Sequence, residues 1–351
     1  MMNNKENSIS SRLGELSSNL ENVKRCELCD WPVQNPRIVC TVKGFDYVSC
    51  PECGLVFMHP RPAFDNIGHY YKSSYYSYNV SKRPSILQRI RDESLMDLGG
   101  YPPRENPLWI SALSKIIRLV RGFQTAIVLP YFGKSESQPK FLDVGCGSGD
   151  FMIWAGQAGW EVKGVEIGHQ AVQNAQNRGL NVLEGTIENA GFPSAFFDAI
   201  LCNNTVEHMH HPLSALRECR KIIKPEGLLI VCVPNFAGIN ARTFGKYWSL
   251  HSVPHHLFQF TPQTLEAMLK KVGFKVERWH YKSLFIPYTE KNTFRAFKAG
   301  IKSGEVDGGM QLYWKLRLKI TLLLRLQVLL GLGNRQDHAQ FITAYCRPKN
   351  V

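Results

Sequence analysis

Phe141-Leu142-Asp143-Val144-Gly145-Cys146-Gly147-Ser148-Gly149-Asp150 joins a short apolar strand to a turn built on three glycines. Phe151-Met152-Ile153-Trp154-Ala155 then continues with the apolar residues of a helix. A strand, a tight turn and a helix N-terminus form the place where α/β sheets receive adenosine-containing ligands. Glycine adopts positive φ without steric cost and lets a ligand approach the main chain closely. The glycines stand at 145, 147 and 149 with Asp at 150, so the G-x-G-x-x-G spacing of a dinucleotide fingerprint is not met. Asp143 closes the strand with a negative charge that would repel a pyrophosphate and suits a ligand carrying a cationic centre and a free amino group.

S-adenosylmethionine has both. A second acid, Glu166, ends the next apolar strand (Glu161-Val162-Lys163-Gly164-Val165-Glu166) 17 positions after Gly149. A carboxylate there can accept two hydrogen bonds from ribose hydroxyls. On these residues the stretch from roughly 138 to 275 resembles the class I S-adenosylmethionine-dependent methyltransferases, whose first motif is an apolar strand followed by D-x-G-x-G-x-G. The resemblance implies an α/β, Rossmann-like seven-stranded core. It implies a cofactor site formed by Asp143, Gly145, Cys146, Gly147, Gly149, Glu166 and Ile167, with Thr186 and Ile187 flanking the adenine and Asn203 facing the amino acid part of the cofactor.

The alternation of apolar runs and helical patterns agrees with a doubly wound sheet. Strands are expected at 139–144, 161–166, 180–184, 197–202, 227–233, 274–282 and 340–346, and helices at 150–158, 169–178, 212–223 and 262–272. Thr261-Pro262 is a good helix start, an N-cap followed by proline at the first helical position, and Gly273 a good stop. Phe197 to His208 runs through the fourth strand into a loop on the ligand edge. Its Glu207-His208 followed by Pro212 resembles a pattern of small-molecule O- and C-methyltransferases. His208 is a candidate general base or, equally, a structural loop histidine. After the fifth strand an excursion at 236–260 carries Lys246-Tyr247-Trp248-Ser249-Leu250-His251 and Pro254-His255-His256-Leu257-Phe258. It is read as an acceptor wall, with His255 and His256 as further candidate bases.

Cys26-Glu27-Leu28-Cys29 and Cys50-Pro51-Glu52-Cys53 form two C-x2-C pairs separated by twenty residues. Two such turns can aim four thiolates at one ion, the closed set of structural zinc. Local disulfides or a redox C-x-x-C are the other readings of either pair taken alone. With zinc the chain divides into a flexible N-terminus (1–20), a zinc ribbon (21–62), a Tyr-rich connector with an amphipathic helix at 110–129 (63–137), the cofactor-binding core (138–275), and basic cap helices with a final strand (276–351). The five tyrosines at 70, 71, 75, 76 and 78 suit packing between domains or stacking on a sugar.

The 351 residues carry a formal net charge of +13. Residues 1–140 hold 18 basic and 13 acidic side chains, 141–274 hold 10 and 11, and 275–351 hold 14 and 5. The core is neutral and the excess lies in the C-terminal segment, where it suits an anionic acceptor or an anionic membrane surface. The leucine-rich run at 311–332 is interrupted by Lys315, Arg317, Lys319 and Arg325, which argues against a span. It fits a cap helix packed on the sheet or a helix lying on lipid. Residues 1–25 lack a signal-peptide pattern, and thiol usage fits a reducing compartment, so a cytoplasmic protein, in peripheral contact with the inner membrane face if the basic helix lies on lipid, is expected.

A four-cysteine ribbon joined to a class I core resembles the methyltransferases of bacterial surface-polysaccharide and deoxysugar synthesis. The implied reaction is methyl transfer to a small-molecule or glycan acceptor, a nucleotide-linked or lipid-linked sugar, at oxygen. An RNA methyltransferase is the next reading, weakened by Asn203-Asn204-Thr205-Val206 standing where base-amino methylators carry Asn-Pro-Pro-Tyr or Asp-Pro-Pro-Tyr. A non-catalytic membrane-surface adaptor is the third, weakened by the intact Asp143, glycines and Glu166.

Overall fold

The computed structural model describes residues 19–70, 86–102, 107, 109–110, 112–113, 127–131, 137–282, 287–329 and 336–349. The chain opens with β1 (Leu20–Glu21), β2 (Arg37–Val42), β3 (Phe45–Ser49), β4 (Val56–Met58) and β5 (Arg61–Pro62), followed by helix α1 (Ile86–Leu98). The core contributes β6 (Lys140–Val144), α2 (Asp150–Gln157), β7 (Glu161–Glu166), α3 (His169–Gln176), β8 (Val182–Glu184), β9 (Phe197–Asn203), α4 (Pro212–Ile222) and β10 (Ile223–Pro234). After α5 (Ile239–Phe244) come β11 (Phe258–Gln259), α6 (Pro262–Lys271), β12 (Phe274–Lys282), α7 (Pro287–Lys302), α8 (Gly309–Leu329) and β13 (Phe341–Pro348).

Seven strands form one sheet in the order β12-β13-β10-β9-β6-β7-β8. Strands β6 to β10 run parallel, while β13 lies antiparallel to both β10 and β12. Strand order reverses between β6 and β9, which pair directly with Phe141 opposite Ala199 and Val144 opposite Cys202. A ligand crevice in such a sheet opens at the carboxyl ends of the strands flanking that reversal. The glycine turn and the Asn203 to His208 loop both start there.

Alternation along the strands builds the two faces. Leu142, Val144, Ile200, Cys202, Leu229 and Val231 are buried in one cluster, and Phe141, Ala199, Leu201, Leu228 and Ile230 in another with Trp154, Trp160, Leu95 and Met96. Period-2 placement requires this when both sheet faces are covered. Helix α1 thus supplies core residues from within the stretch expected to be a Tyr-rich connector. The α6 start follows its sequence signals: Thr261 and Thr264 form a capping box, Pro262 takes the first turn, and Gly273, at φ 86°, follows the end.

The N-terminal ribbon shares this architecture. Its sheet has the order β11-β4-β3-β2, so the outermost strand comes from the 236–260 excursion, Phe258 pairing with Phe57 and Gln259 with Val56. One continuous hydrophobic cluster holds Cys26, Val48, Leu55 and Phe57 of the ribbon together with Leu142, Val231 and Ile342 of the large sheet. Further ties are the Met58 amide donating to the Leu257 carbonyl (2.9 Å), Lys271 Nζ to the Leu28 carbonyl (2.5 Å) and Arg61 Nη1 to the His210 carbonyl (3.0 Å).

Most of the helix expected at 110–129 lies outside the described residues. Residues 127–131 run without helix, and Leu129 is fully buried. Beyond Tyr70 the tyrosine stretch also lies outside them. Helix α8 buries Tyr313 and Ile320 against Phe294 and Phe297 and exposes Trp314, Leu318 and Leu322. Among the described residues no helix is long and apolar enough to cross a membrane.

Candidate functional site

Asp143 is buried at the C-terminal end of β6. The turn that follows puts Gly145, Gly147 and Gly149 at φ 72°, 54° and 82°, the left-handed region that L side chains avoid. Gly145 has a second constraint, since a Cβ added there would stand 2.4 Å from Thr205 Cγ2. Thr205 in turn donates its hydroxyl to the Val144 carbonyl at 3.0 Å, locking the β9 loop against the glycine turn. Glu166 fastens the turn from the other side. Its Oε2 accepts the Gly147 amide at 2.9 Å and its Oε1 the Gly168 amide at 2.8 Å. Each carboxylate oxygen has two acceptor directions, so these bonds leave capacity for further donors.

Burial, with Glu166 as a like charge nearby, pushes the Asp143 carboxyl up to about 7. Burial likewise raises Glu166, opposed by its backbone amide donors. Cys146 rises too, through burial and then the two carboxylates. Such a cradle, rich in carboxylate and in left-handed backbone, fits a ligand that brings positive charge. Around it, Ile167 is half exposed (52%) at the tip of β7, whereas Ile187 is 2% exposed and packs in the main core with Thr186 half-buried before it. Asn203 is exposed, and its Oδ1 accepts from Asn204 Nδ2 at 3.2 Å.

Past Thr205, a single helical turn at Val206–His208 points Glu207 into the protein. Glu207 and His208 meet His256 from the excursion. His208 Nε2 and His256 Nε2 each lie 4.0 Å from Glu207 Oε1, and the two imidazoles meet edge to face at 4.5 Å. Burial raises the Glu207 carboxyl to about 8. Burial, with His255 adding to it, lowers His208 to about 3, and burial and then His208 lower His256. His255 stands beside the pair with its Nε2 on the Tyr70 carbonyl at 2.9 Å.

His251, by contrast, is turned inward. Its Nε2 contacts the Gly245 carbonyl at 3.0 Å, its ring meets Trp248 edge to face, and burial lowers it to about 4. Two residues the sequence reading passed over hold this corner together. Glu207 was visible only as half of a Glu-His pair, and nothing local marked it for burial. Tyr47, on β3 of the ribbon, donates to the His256 carbonyl at 2.7 Å and the His251 carbonyl at 3.0 Å. The ribbon therefore shapes the backbone that carries His256.

The four ribbon cysteines come together as their spacing requires. Cys26 and Cys53 sulfurs lie 3.5 Å apart, as do those of Cys29 and Cys50, and all four lie within 4.8 Å of one another. Zn–S bonds of about 2.3 Å place tetrahedral sulfurs about 3.8 Å apart, so the set fits one zinc ion. The two turns match. Asp30 and Gly54, each following a second cysteine, take φ 64° and 72° and return their amides to the Cys26 and Cys50 carbonyls at 2.8 and 2.9 Å.

Residues 117–278 match the family model described as "Methyltransferase domain". Among curated proteins, the chain is similar to the ubiquinone biosynthesis O-methyltransferase of Yersinia enterocolitica, 30% identical over 116 residues, or 31% of this chain and 45% of that one. It is also similar to the protein of the same description from Proteus mirabilis, 34% identical over 104 residues, or 27% and 40%. The chain thus spans less than half the length of these two relatives. A SAM-dependent methyltransferase from Archaeoglobus fulgidus superposes over 68% of this chain and 93% of its own, at 16% identity and a TM-score of 0.40, a likeness too loose to bear on the site. The segment 117–278, slightly less than half of the chain, thus resembles a methyltransferase domain in sequence.

Proposed function

We propose that this chain is an S-adenosylmethionine-dependent methyltransferase that modifies a hydroxyl of a small-molecule or glycan acceptor, such as a nucleotide-linked or lipid-linked sugar. The observation that carries the reading is the buried Asp143 leading into a left-handed glycine turn whose Gly147 amide is pinned by Glu166. When bound, the cofactor supplies an activated methyl group on a sulfonium. Asp143 answers its positive charge, Gly145, Cys146, Gly147 and Gly149 let it approach the main chain, and Glu166 receives ribose hydroxyls. Ile167, whose apolar side chain is exposed for its position, covers one face of the adenine, with Thr186 and Ile187 bounding the ring edge. Asn203 faces the amino acid end.

Methyl transfer needs the acceptor oxygen in line behind the methyl carbon at about 3–3.5 Å, and holding it there supplies much of the rate. Glu207, His208 and His256, with His255 at their rim, stand at the end of β9 where the acceptor hydroxyl would lose its proton. The four cysteines hold a structural zinc, and the ribbon around it braces the acceptor wall through Tyr47 and β11. Oxygen as the acceptor atom is supported by the printed description of the two relatives. An anionic acceptor, or peripheral contact with an anionic membrane, is supported by the basic C-terminal segment and by Trp314 and Leu318 exposed beside Lys315, Arg317 and Lys319.

Incubation of the purified chain with a methyl-labelled donor and three pools, nucleotide sugars, lipid-linked glycans and total RNA, tests this. Label is expected in one of the two sugar pools. Label in RNA alone would overturn the acceptor class.

A further inference from the structure

One base would serve the acceptor proton, yet Glu207, His208 and His256 converge as a group of three. Glu207 is 1% exposed, and among the described residues neither of its carboxylate oxygens has a hydrogen-bond partner. A buried carboxyl group left without a donor is costly, and folding does not keep that cost without some compensation. Both Nε2 atoms stand at the same distance, 4.0 Å, from the same oxygen, and the three ligand atoms all lie within 4.8 Å. The rings are nearly perpendicular, at 84°, so they converge on the carboxylate without stacking.

His256 has the outer contact that a metal-binding imidazole needs. His256 Nδ1 lies 2.8 Å from the Leu250 carbonyl, which places the proton on Nδ1 and leaves a lone pair on Nε2. The Leu257 amide donates to the Glu207 main-chain carbonyl at 2.8 Å, tying the residue beside His256 to the residue that bears the carboxylate. Tyr47 fixes the His256 carbonyl on the opposite side. Three elements far apart in the chain therefore hold these three side chains at one point.

We propose that Glu207, His208 and His256 bind a divalent transition-metal cation beside the methyl-transfer site, separate from the ion of the four cysteines. Two imidazoles and one carboxylate form a donor set for ions of the Zn2+, Mn2+ and Fe2+ class, and three protein ligands leave positions open for oxygen ligands. Metal–ligand bonds of about 2.0–2.2 Å would draw the ligand atoms closer than they now stand. The role, though not the binding, rests on the methyltransferase reading: a hydroxyl bound to the cation would lose its proton to solvent without a strong base, and its oxygen would take the methyl group as the carbon–sulfur bond of the sulfonium breaks.

The test reads metal rather than turnover. The full chain, stripped with chelator and reloaded with one equivalent of zinc to fill the thiolate site, is titrated with Mn2+ and followed by electron paramagnetic resonance. Mn2+ prefers oxygen and nitrogen donors to thiolates. One saturable Mn2+ per chain is expected, weakened at least tenfold in Glu207→Gln and in His256→Gln and unchanged in His255→Gln. Absence of saturable binding in the wild type, or unchanged binding in Glu207→Gln, overturns the proposal. Should the variants fail to fold, Mn2+ broadening of histidine ring signals in the wild type decides: broadening confined to His208 and His256 and their neighbours supports the site, and broadening elsewhere overturns it. Cation binding that persists in a chain unable to bind S-adenosylmethionine would refute the cofactor reading and leave the metal site standing.

Discussion

Acidifying the protein from pH 7.5 to pH 5 should weaken S-adenosylmethionine binding steeply, because the group that answers the ligand's charge is one that burial has made a weak acid. Asp143 sits at about 7, raised first by burial and then by Glu166. If only the ionised carboxylate pairs with the cationic ligand, its population falls from roughly three quarters at pH 7.5 to about one hundredth at pH 5, a loss of affinity of about one to two orders of magnitude. The sign is fixed by the direction of the shift. A folded carboxyl raised above its unfolded value carries its proton at pH 5 and must release it to take the ligand, so binding in that range liberates a proton. By the same sign, the ligand-free protein loses stability as pH rises from the ordinary carboxyl range through about 7, and ligand restores it. Calorimetry in two buffers of different ionisation enthalpy measures both affinity and proton release. The series should stop at pH 7.5, where the ligand's own α-amino group begins to titrate. Asp143→Asn should bind weakly and flatten the profile. A dissociation constant constant within twofold from pH 5 to 7.5 in the wild type, with no proton release, would refute the assignment of Asp143.

Tyr47→Phe keeps the ring and removes the hydroxyl that reaches the His251 and His256 carbonyls. It should cost about 1–3 kcal/mol in denaturant unfolding and reduce turnover through a displaced His256, with S-adenosylmethionine affinity unchanged. Removing the ion from the four cysteines with a strong chelator should loosen the ribbon and expose the β4–β11 amides to hydrogen exchange, because the excursion completes the ribbon's sheet. Amides of β6 and β7 should stay protected.

The large sheet was legible in the sequence because most of β6, β9, β10 and β13 is apolar, and each strand expected there is present within a few residues. Strand β10 alone starts well before its apolar stretch, at Ile223, where Ile223 pairs with Phe197 ahead of a register shift. The glycine turn and the cysteine pairs were equally readable, since spacing in the chain is spacing in space for residues this close. Strand β11 was not. Two residues pairing with a strand about 200 positions earlier leave no local period. Glu207 was missed for the same reason: its burial comes from the ribbon and excursion folding over it, and in a loop sequence a Glu-His pair reads as solvated. Trp248 and His251 were expected on an acceptor wall and instead build a small core with Phe244, Phe294 and Phe297 from α5 and α7. Aromatic density in a long excursion signals packing as readily as it signals a ligand.

The central claim is that Asp143, the three glycines and Glu166 form an S-adenosylmethionine site. Titration of the cofactor into the wild type and into Gly147→Arg, with zinc content measured on both, addresses it directly, because Gly147 takes positive φ in the turn and its amide is the one held by Glu166. The account predicts saturable one-to-one binding in the wild type and loss of binding in Gly147→Arg, both proteins retaining zinc. No binding by the wild type, or equal binding by the two, would contradict it.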